Sequence, residues 1–203
     1  MRQRRLSTLI SSLVGKSQNK LTPEELDILQ SETDFKEKEL KQWYRHFLLS
    51  CPQGRLSYET FIEIFAKFFP FGDPAPFARI VFDAFDEDRN NSIVFGEFMK
   101  VLSVCSRGSR DKKLRWAFKL YDTDCDGYIT KEEMLEVMSA IYRMVGGMVR
   151  MPVDEDTPEK RVEKIFMLMD KDHDGKLSLQ DFIQGAQEDE SIERTLKLYE
   201  HSV

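Results

Sequence analysis

Along this chain, apolar and aromatic residues recur at offsets 0, 3, 4 and 7, the spacing that lines side chains along one face of an α-helix. Leu40/Trp43/Tyr44/Phe47 and Phe61/Ile64/Phe65/Phe68 flank one polar break. Phe77/Ile80/Val81/Ala84 and Phe98/Val101/Leu102/Cys105 flank a second, and Leu114/Ala117/Phe118/Tyr121 and Met134/Val137/Met138/Ile141 a third. Val162/Ile165/Phe166/Met169 leads into a fourth; only the last exiting helix, after Phe182, is poorly patterned. The pattern predicts four repeats of helix, loop and helix. No repeat can bury its apolar face alone, so units one and two, and units three and four, are expected to pair. Leu56 with Ile93, and Ile129 with Leu177, are the expected short strand contacts between paired loops. The predicted fold is therefore all-α, with four units in two lobes. The expected divisions are a basic amphipathic segment over 1–34, a first pair over 35–106, and a second pair with a C-terminal helix over 107–203. Gly146 to Glu159 reads as a loop closed by Thr157 and Pro158, a cap followed by proline in the first helical turn.

The breaks carry the chemistry. The third reads D-T-D-C-D-G-Y-I-T-K-E-E from Asp122. Asp122, Asp124 and Asp126 stand first, third and fifth, Tyr128 offers its carbonyl at the seventh place, and Glu133 closes the twelfth. Gly127 takes the sixth, where the chain turns sharply. Calcium wants about six to eight oxygens, and this spacing wraps one segment around such an ion. This is an EF-hand loop.

The second loop offers Asp86, Asp88, Asn90, the Ser92 carbonyl and Glu97, but has Asn91 where glycine is expected. Asparagine tolerates the left-handed backbone better than most residues, so weakened binding is expected. The fourth offers Asp170, Asp172, Asp174 and the Lys176 carbonyl, and ends in Asp181. Aspartate is one methylene short of glutamate, which lowers the coordination number and makes the site magnesium-tolerant or calcium-weak. In the first loop Leu49, Cys51 and Gln53 replace oxygen-bearing positions, and Thr60 stands at the twelfth. It is expected to bind nothing. Two or three calcium ions are expected, with magnesium as an occupant of the fourth loop.

The 30 Lys and Arg against 36 Asp and Glu give a net charge of −6, and no basic stripe of a nucleic-acid binder runs through the repeats. Much of the excess acid lies in the loops. Cys51, Cys105 and Cys125 are odd in number and lack zinc spacing, which predicts free thiols in a reducing cytosol. No run reaches the ~18 apolar residues of a spanning helix, so a soluble intracellular protein is expected. His46, His173 and His201 are scattered and no catalytic constellation forms, so an enzyme is not expected.

From Ser31 to about Tyr199 the chain resembles the neuronal calcium sensor branch of the EF-hand proteins. The resemblance rests on Cys51-Pro52-Gln53-Gly54, similar to that branch's disabled first loop, and on Phe68-Phe69-Pro70-Phe71-Gly72-Asp73-Pro74. It also rests on Leu114-Arg115-Trp116-Ala117-Phe118-Lys119-Leu120-Tyr121-Asp122 and on Lys164-Ile165-Phe166. Lys41-Gln42-Trp43-Tyr44 is similar to the frequenin subgroup, and Gln187-Glu188-Asp189-Glu190-Ser191-Ile192 to the potassium-channel-interacting proteins; the subgroup stays open between them. The resemblance implies a groove lined by Trp43, Phe47, Phe61, Phe68, Phe98 and Leu102 that calcium opens for a helix of a target protein, such as an ion channel, receptor or kinase. The same six residues also fit a permanently buried core. Most subgroups begin Met-Gly and are myristoylated; Arg2 follows Met1 here, so no N-myristoyl group is expected.

Residues 1–20 contain Arg2, Arg4, Arg5, Lys16 and Lys20 without acid, and an apolar stripe of Leu6, Leu9, Ile10, Leu13 and Val14. Three readings stay open: docking into this protein's own or a partner's groove, contact with an anionic membrane surface, and organelle targeting. A phosphate on Ser7 would weaken membrane attraction. Two functions compete overall. One is a sensor that opens on calcium, favoured by the aromatic stripe and the disabled loop; the other is a buffer whose units barely open.

Overall fold

The computed structural model describes residues 20–146 and 152–188, and the statements below concern those residues. The segment 1–19, with its basic stripe and Ser7, and the tail 189–203 lie outside them. The chain runs α1 (Pro23–Glu32), α2 (Glu37–Ser50), β1 (Arg55–Ser57), α3 (Tyr58–Phe68), α4 (Ala75–Phe85), β2 (Ser92–Val94) and α5 (Phe95–Arg107). It continues α6 (Arg110–Tyr121), β3 (Tyr128–Thr130), α7 (Lys131–Val145), α8 (Pro158–Met169), β4 (Lys176–Ser178) and α9 (Leu179–Glu188).

The four units pair as the apolar pattern requires. β1 and β2 are antiparallel with Leu56 opposite Ile93, and β3 and β4 are antiparallel with Ile129 opposite Leu177. Those four side chains are buried, so each ladder joins two loops while filling the core beneath them. Most of each predicted face points inward, with Leu40, Phe77, Leu114, Met134 and Met169 all but inaccessible to solvent, whereas Trp43 and Phe68 stay exposed.

Two elements exceed the expectation. Helix α1 has no counterpart in the apolar repeats, yet Leu26 and Leu29 are buried. Its signal was local: Thr22 accepts from Glu25 N while Glu25 accepts from Thr22 N, a capping box followed by Pro23 at the first turn. The last helix, α9, is short of large apolar residues because small ones do part of the packing. Phe182 and Ala186 are buried, and a side chain at Gly185 would run into Met169. The described end of the linker, 152–159, is held by specific contacts. Thr157 caps α8 as expected, and buried Glu155 pairs with buried Arg161 while its carbonyl accepts from the Tyr142 hydroxyl.

The lobes are bolted together. A Cβ on Gly72 would lie 1.9 Å from the Met144 carbonyl oxygen, and Gly146, at φ +50°, packs against Phe71 and Gly72 backbone. Asp73 N donates to Arg143 O at 2.9 Å, and the Arg143 guanidinium grips the Asp73 carboxylate. The turn that starts α4 is thus fastened to the end of α7.

Arg107, at the end of α5, binds the Glu39 carboxylate with two nitrogens, donates to Asp34 O and lies over the Phe35 ring at 4.1 Å. The guanidinium and the Lys36 N–H hold the Glu39 carboxyl down at about 2. A depressed carboxyl pKa stabilises above the unfolded value, and that contribution vanishes as pH falls through the folded value. Glu39→Gln is therefore predicted to lower the melting temperature at neutral pH and to match the parent near pH 2; an equal gap at both pH values in thermal melts would contradict this.

Candidate metal centre

Each of loops two, three and four begins on the last turn of a helix. Asp86 N donates to Phe82 O, Asp122 N to Phe118 O and Asp170 N to Phe166 O, all within 2.9–3.0 Å. The first loop position therefore caps the entering helix. Its carboxylate then gathers the loop beneath it by accepting backbone N–H groups. Asp86 accepts from Asn90 N and Asn91 N at 3.0 and 2.7 Å. Asp122 accepts from Asp126 N and Gly127 N at 3.0 and 3.1 Å, and Asp170 from Asp174 N and Gly175 N at 3.2 and 3.0 Å. The sixth residue has positive φ in all three: +60° at Asn91, +91° at Gly127 and +81° at Gly175.

These turns collect oxygen. Ligand atoms of Asp86, Asp88 and Glu97 lie within 4.8 Å of one another, as do those of Asp122, Asp124 and Asp126, and those of Asp170, Asp172 and Asp174. The fifth-position Asp126 and Asp174 each accept from the seventh residue's N–H, Tyr128 and Lys176, at 2.8 Å. In the second loop the Asn90 side-chain Oδ1 accepts the Ser92 hydroxyl. Ser92, Tyr128 and Lys176 open strands β2, β3 and β4, so the ladder positions their backbones.

The twelfth residue sits in the first turn of the exiting helix. Glu133 Oε1 accepts from Thr123 N and Asp124 N at 3.1 and 3.3 Å, while Oε2 accepts from Thr130 N and Oγ1. Glu97 divides its oxygens similarly between Asp88 N and Val94 N. The shorter Asp181 takes both the Ser178 N–H and hydroxyl on Oδ2. Thr130 and Thr123 had not been expected to matter; the Thr130-x-x-Glu133 capping box was readable, whereas the Thr123 contact follows from the turn.

Burial and crowding show in the electrostatics. Desolvation pushes the Asp86 and Asp122 carboxyls up, against the N–H groups they accept. Burial, with the nearby Asp88 and Asp86 charges, pushes Glu97 up to about 7. Burial raises Glu133 too, but the donors on Thr130, Asp124 and Thr123 outweigh it and hold that carboxyl low. A hard dication would offset the mutual repulsion in every cluster, and oxygen donors at this spacing fit calcium. The first loop has no such cluster among the described residues, and Cys51 at its third place is buried in the core.

Residues 111–187 match an EF-hand domain pair. Over 185 residues the chain is 51% identical to "Neuronal calcium sensor 1" of Lymnaea stagnalis and 51% identical to the protein of the same name in Aplysia californica. Each comparison covers 91% of this chain and 97% of the relative. The chain belongs to the neuronal calcium sensor family. It is an EF-hand protein that binds calcium and serves as a calcium sensor.

The six residues expected to line a groove fall into two sets. Phe47, Phe61 and Leu102 are buried and Phe98 is half-buried, whereas Trp43 is 38% and Phe68 56% exposed. Trp43 rests on Phe98 with centroids 6.3 Å apart, and Phe98 in turn touches Phe47 and Phe85. Among the described residues, no helix is long and apolar enough to cross a membrane.

The raised Glu97 pKa fixes a pH dependence. Below about 7 a proton occupies this carboxyl, and a dication binding there must displace it. With loops three and four silenced by Glu133→Gln and Asp170→Asn, calcium affinity is predicted to fall below neutrality by up to about tenfold per pH unit. Calorimetry at pH near 8 and near 6 reads this directly, and equal affinities would refute the proton competition.

Proposed function

We propose that this sensor takes calcium at loops two and three, and calcium or magnesium at loop four. In response it presents the aromatic face around Trp43 and Phe98 to a helix of a target protein. One observation carries the reading: positions one and twelve abut the two helices of a unit, Asp86 capping α4 through its bond to Phe82 and Glu97 standing in the first turn of α5. An ion gripped at both ends of the loop couples the setting of α4 to that of α5. The aromatic side chains on these helices and on α2 then part company. Phe85 lies one residue before Asp86 and Phe98 one after Glu97, so ion grip and groove wall are adjacent in the chain.

Magnitudes allow this. Sensor affinities of about 10⁻⁷–10⁻⁵ M correspond to roughly 7–10 kcal/mol per ion, and only the difference between closed and open forms drives opening. Partly exposed Trp43 and Phe68 beside buried Phe47, Phe61 and Leu102 support a face that starts closed and has apolar surface in reserve. Three free thiols support a reducing cytoplasmic setting. Contact of residues 1–20 with a membrane or groove belongs to this proposal through their basic amphipathic sequence alone.

Two measurements test it. Calcium is expected to raise binding of a dye that reports exposed apolar surface several-fold over chelator, and a Trp43→Ala/Phe98→Ala variant is expected to lose calcium-dependent capture of target helices. Ion binding without any rise in dye signal would favour a buffer. For the fourth loop, Asp181→Glu supplies the missing methylene and is expected to tighten calcium about tenfold or more and to weaken magnesium competition; unchanged calorimetric affinity would sink the magnesium-tolerant reading.

A further inference from the structure

The second loop places an asparagine where loops three and four use glycine, yet its turn closes in the same way. Asn91 reaches φ +60° and delivers its N–H to Asp86 Oδ2 at 2.7 Å, the shortest of the three equivalent bonds. A residue with a Cβ adopts that left-handed backbone at a cost glycine does not bear, as Arg89, Cys125 and His173 also do at the fourth position of each loop, and a contact made only in that conformation offsets part of it. The holding group is on helix α4. Arg79 Nη2 donates to Asn91 Oδ1 at 3.2 Å, and its Nε donates to Asp83 Oδ2 at 2.9 Å. The guanidinium lies over the Tyr58 ring at 4.9 Å and the Phe82 ring at 5.5 Å. Tyr58 is itself tied to Ala75 O at 3.3 Å. Asp83, which takes Nε–H and one Nη2–H, and two aromatic rings thus fix the arginine plane, and the other Nη2–H faces the loop. A planar fork suits this division of labour, which an ammonium group could not reproduce.

The same chain supplies an internal comparison. Arg115 stands seven residues before Asp122, as Arg79 stands seven before Asp86. Beside the glycine-bearing third loop, Arg115 turns back and pairs with Asp111 at 2.7 Å. Before the fourth loop the corresponding residue is Glu163, which faces Lys131. The arginine engages the loop only where the sixth residue has a side chain to engage.

We infer that Arg79 is a positioning residue for the second ion site, holding Asn91 in the left-handed turn that aims Asp86 at the ion. The inference rests on the reading that the second loop binds calcium. Arg79 offers no ligand. It acts through Asn91, and its contribution depends on that side chain.

The test uses the full chain with loops three and four silenced by Glu133→Gln and Asp170→Asn, titrated with calcium alone by calorimetry. Arg79→Ala is expected to weaken second-loop binding about three- to tenfold. In an Asn91→Gly background the same substitution is expected to change affinity less than about 1.5-fold, because glycine needs no anchor. Arg79→Lys keeps the charge and stem but loses the fork; it is expected to weaken binding in the same direction, and it is the variant read if Arg79→Ala fails to fold. Unchanged affinity in the Arg79 variants overturns the inference alone, as does a loss that persists in the glycine background, which would mark a purely structural role through Tyr58 and Phe82. Absence of any binding in the silenced parent overturns the second-loop reading, and this inference with it.

Discussion

Crowded carboxylates are the constraint on which this molecule turns. In each of three loops, acidic oxygens converge within 4.8 Å, and the first aspartate of each is buried. Like charges that close repel, and burial deprives them of water. The loops partly compensate with backbone donors, two on each first-position aspartate and several on Glu133. Those N–H groups orient the oxygens without neutralising them. A dication does both, and because the loop's first position caps the entering helix and its twelfth lies in the first turn of the exiting one, the charge of a loop bears on the helices that flank it.

Pairing spreads that variable through the fold. Each ladder joins two loops through a buried apolar pair, Leu56 with Ile93 and Ile129 with Leu177. The disabled first loop thus remains structurally necessary: it contributes β1 and seals its side of the core with Cys51 and Leu56. Between lobes, Gly72 and Gly146 allow backbone to touch backbone, and Asp73 and Arg143 add an ion pair beside a main-chain bond. Helix α4 leads straight into Asp86, and α7 carries Glu133 in its first turn. Loop two is thus linked through α4 and the Gly72 turn to the unit that holds loop three. The aromatic relay Phe98, Phe85 and Trp116 crosses the same region, with Phe85 set edge-on to Trp116 at 6.4 Å.

The acidic loops were legible in the chain. A loop ligand's identity and place are local properties, so Asp122, Asp124, Asp126, Tyr128 and Glu133 could be assigned from spacing, and the structure brings the three aspartates together. The amphipathic helices were equally legible because helical period is local. Helix α1 slipped past a search for long apolar stripes, although its capping box was visible, because only Leu26 and Leu29 need burial. The weak pattern of α9 has the complementary cause: glycine and alanine pack closely without registering as hydrophobic.

What the sequence determined by itself was the set of oxygens, their order around a loop, and the repeat that obliges units to pair. Only the tertiary structure decided which aromatic residues lie under the surface and which face out, that Gly72 and Gly146 join the lobes, and that Arg79 reaches Asn91 across a helix turn. The physical reason is range. Ligand spacing and helical period act over a few residues, whereas burial and cross-element contacts depend on where distant segments come to rest.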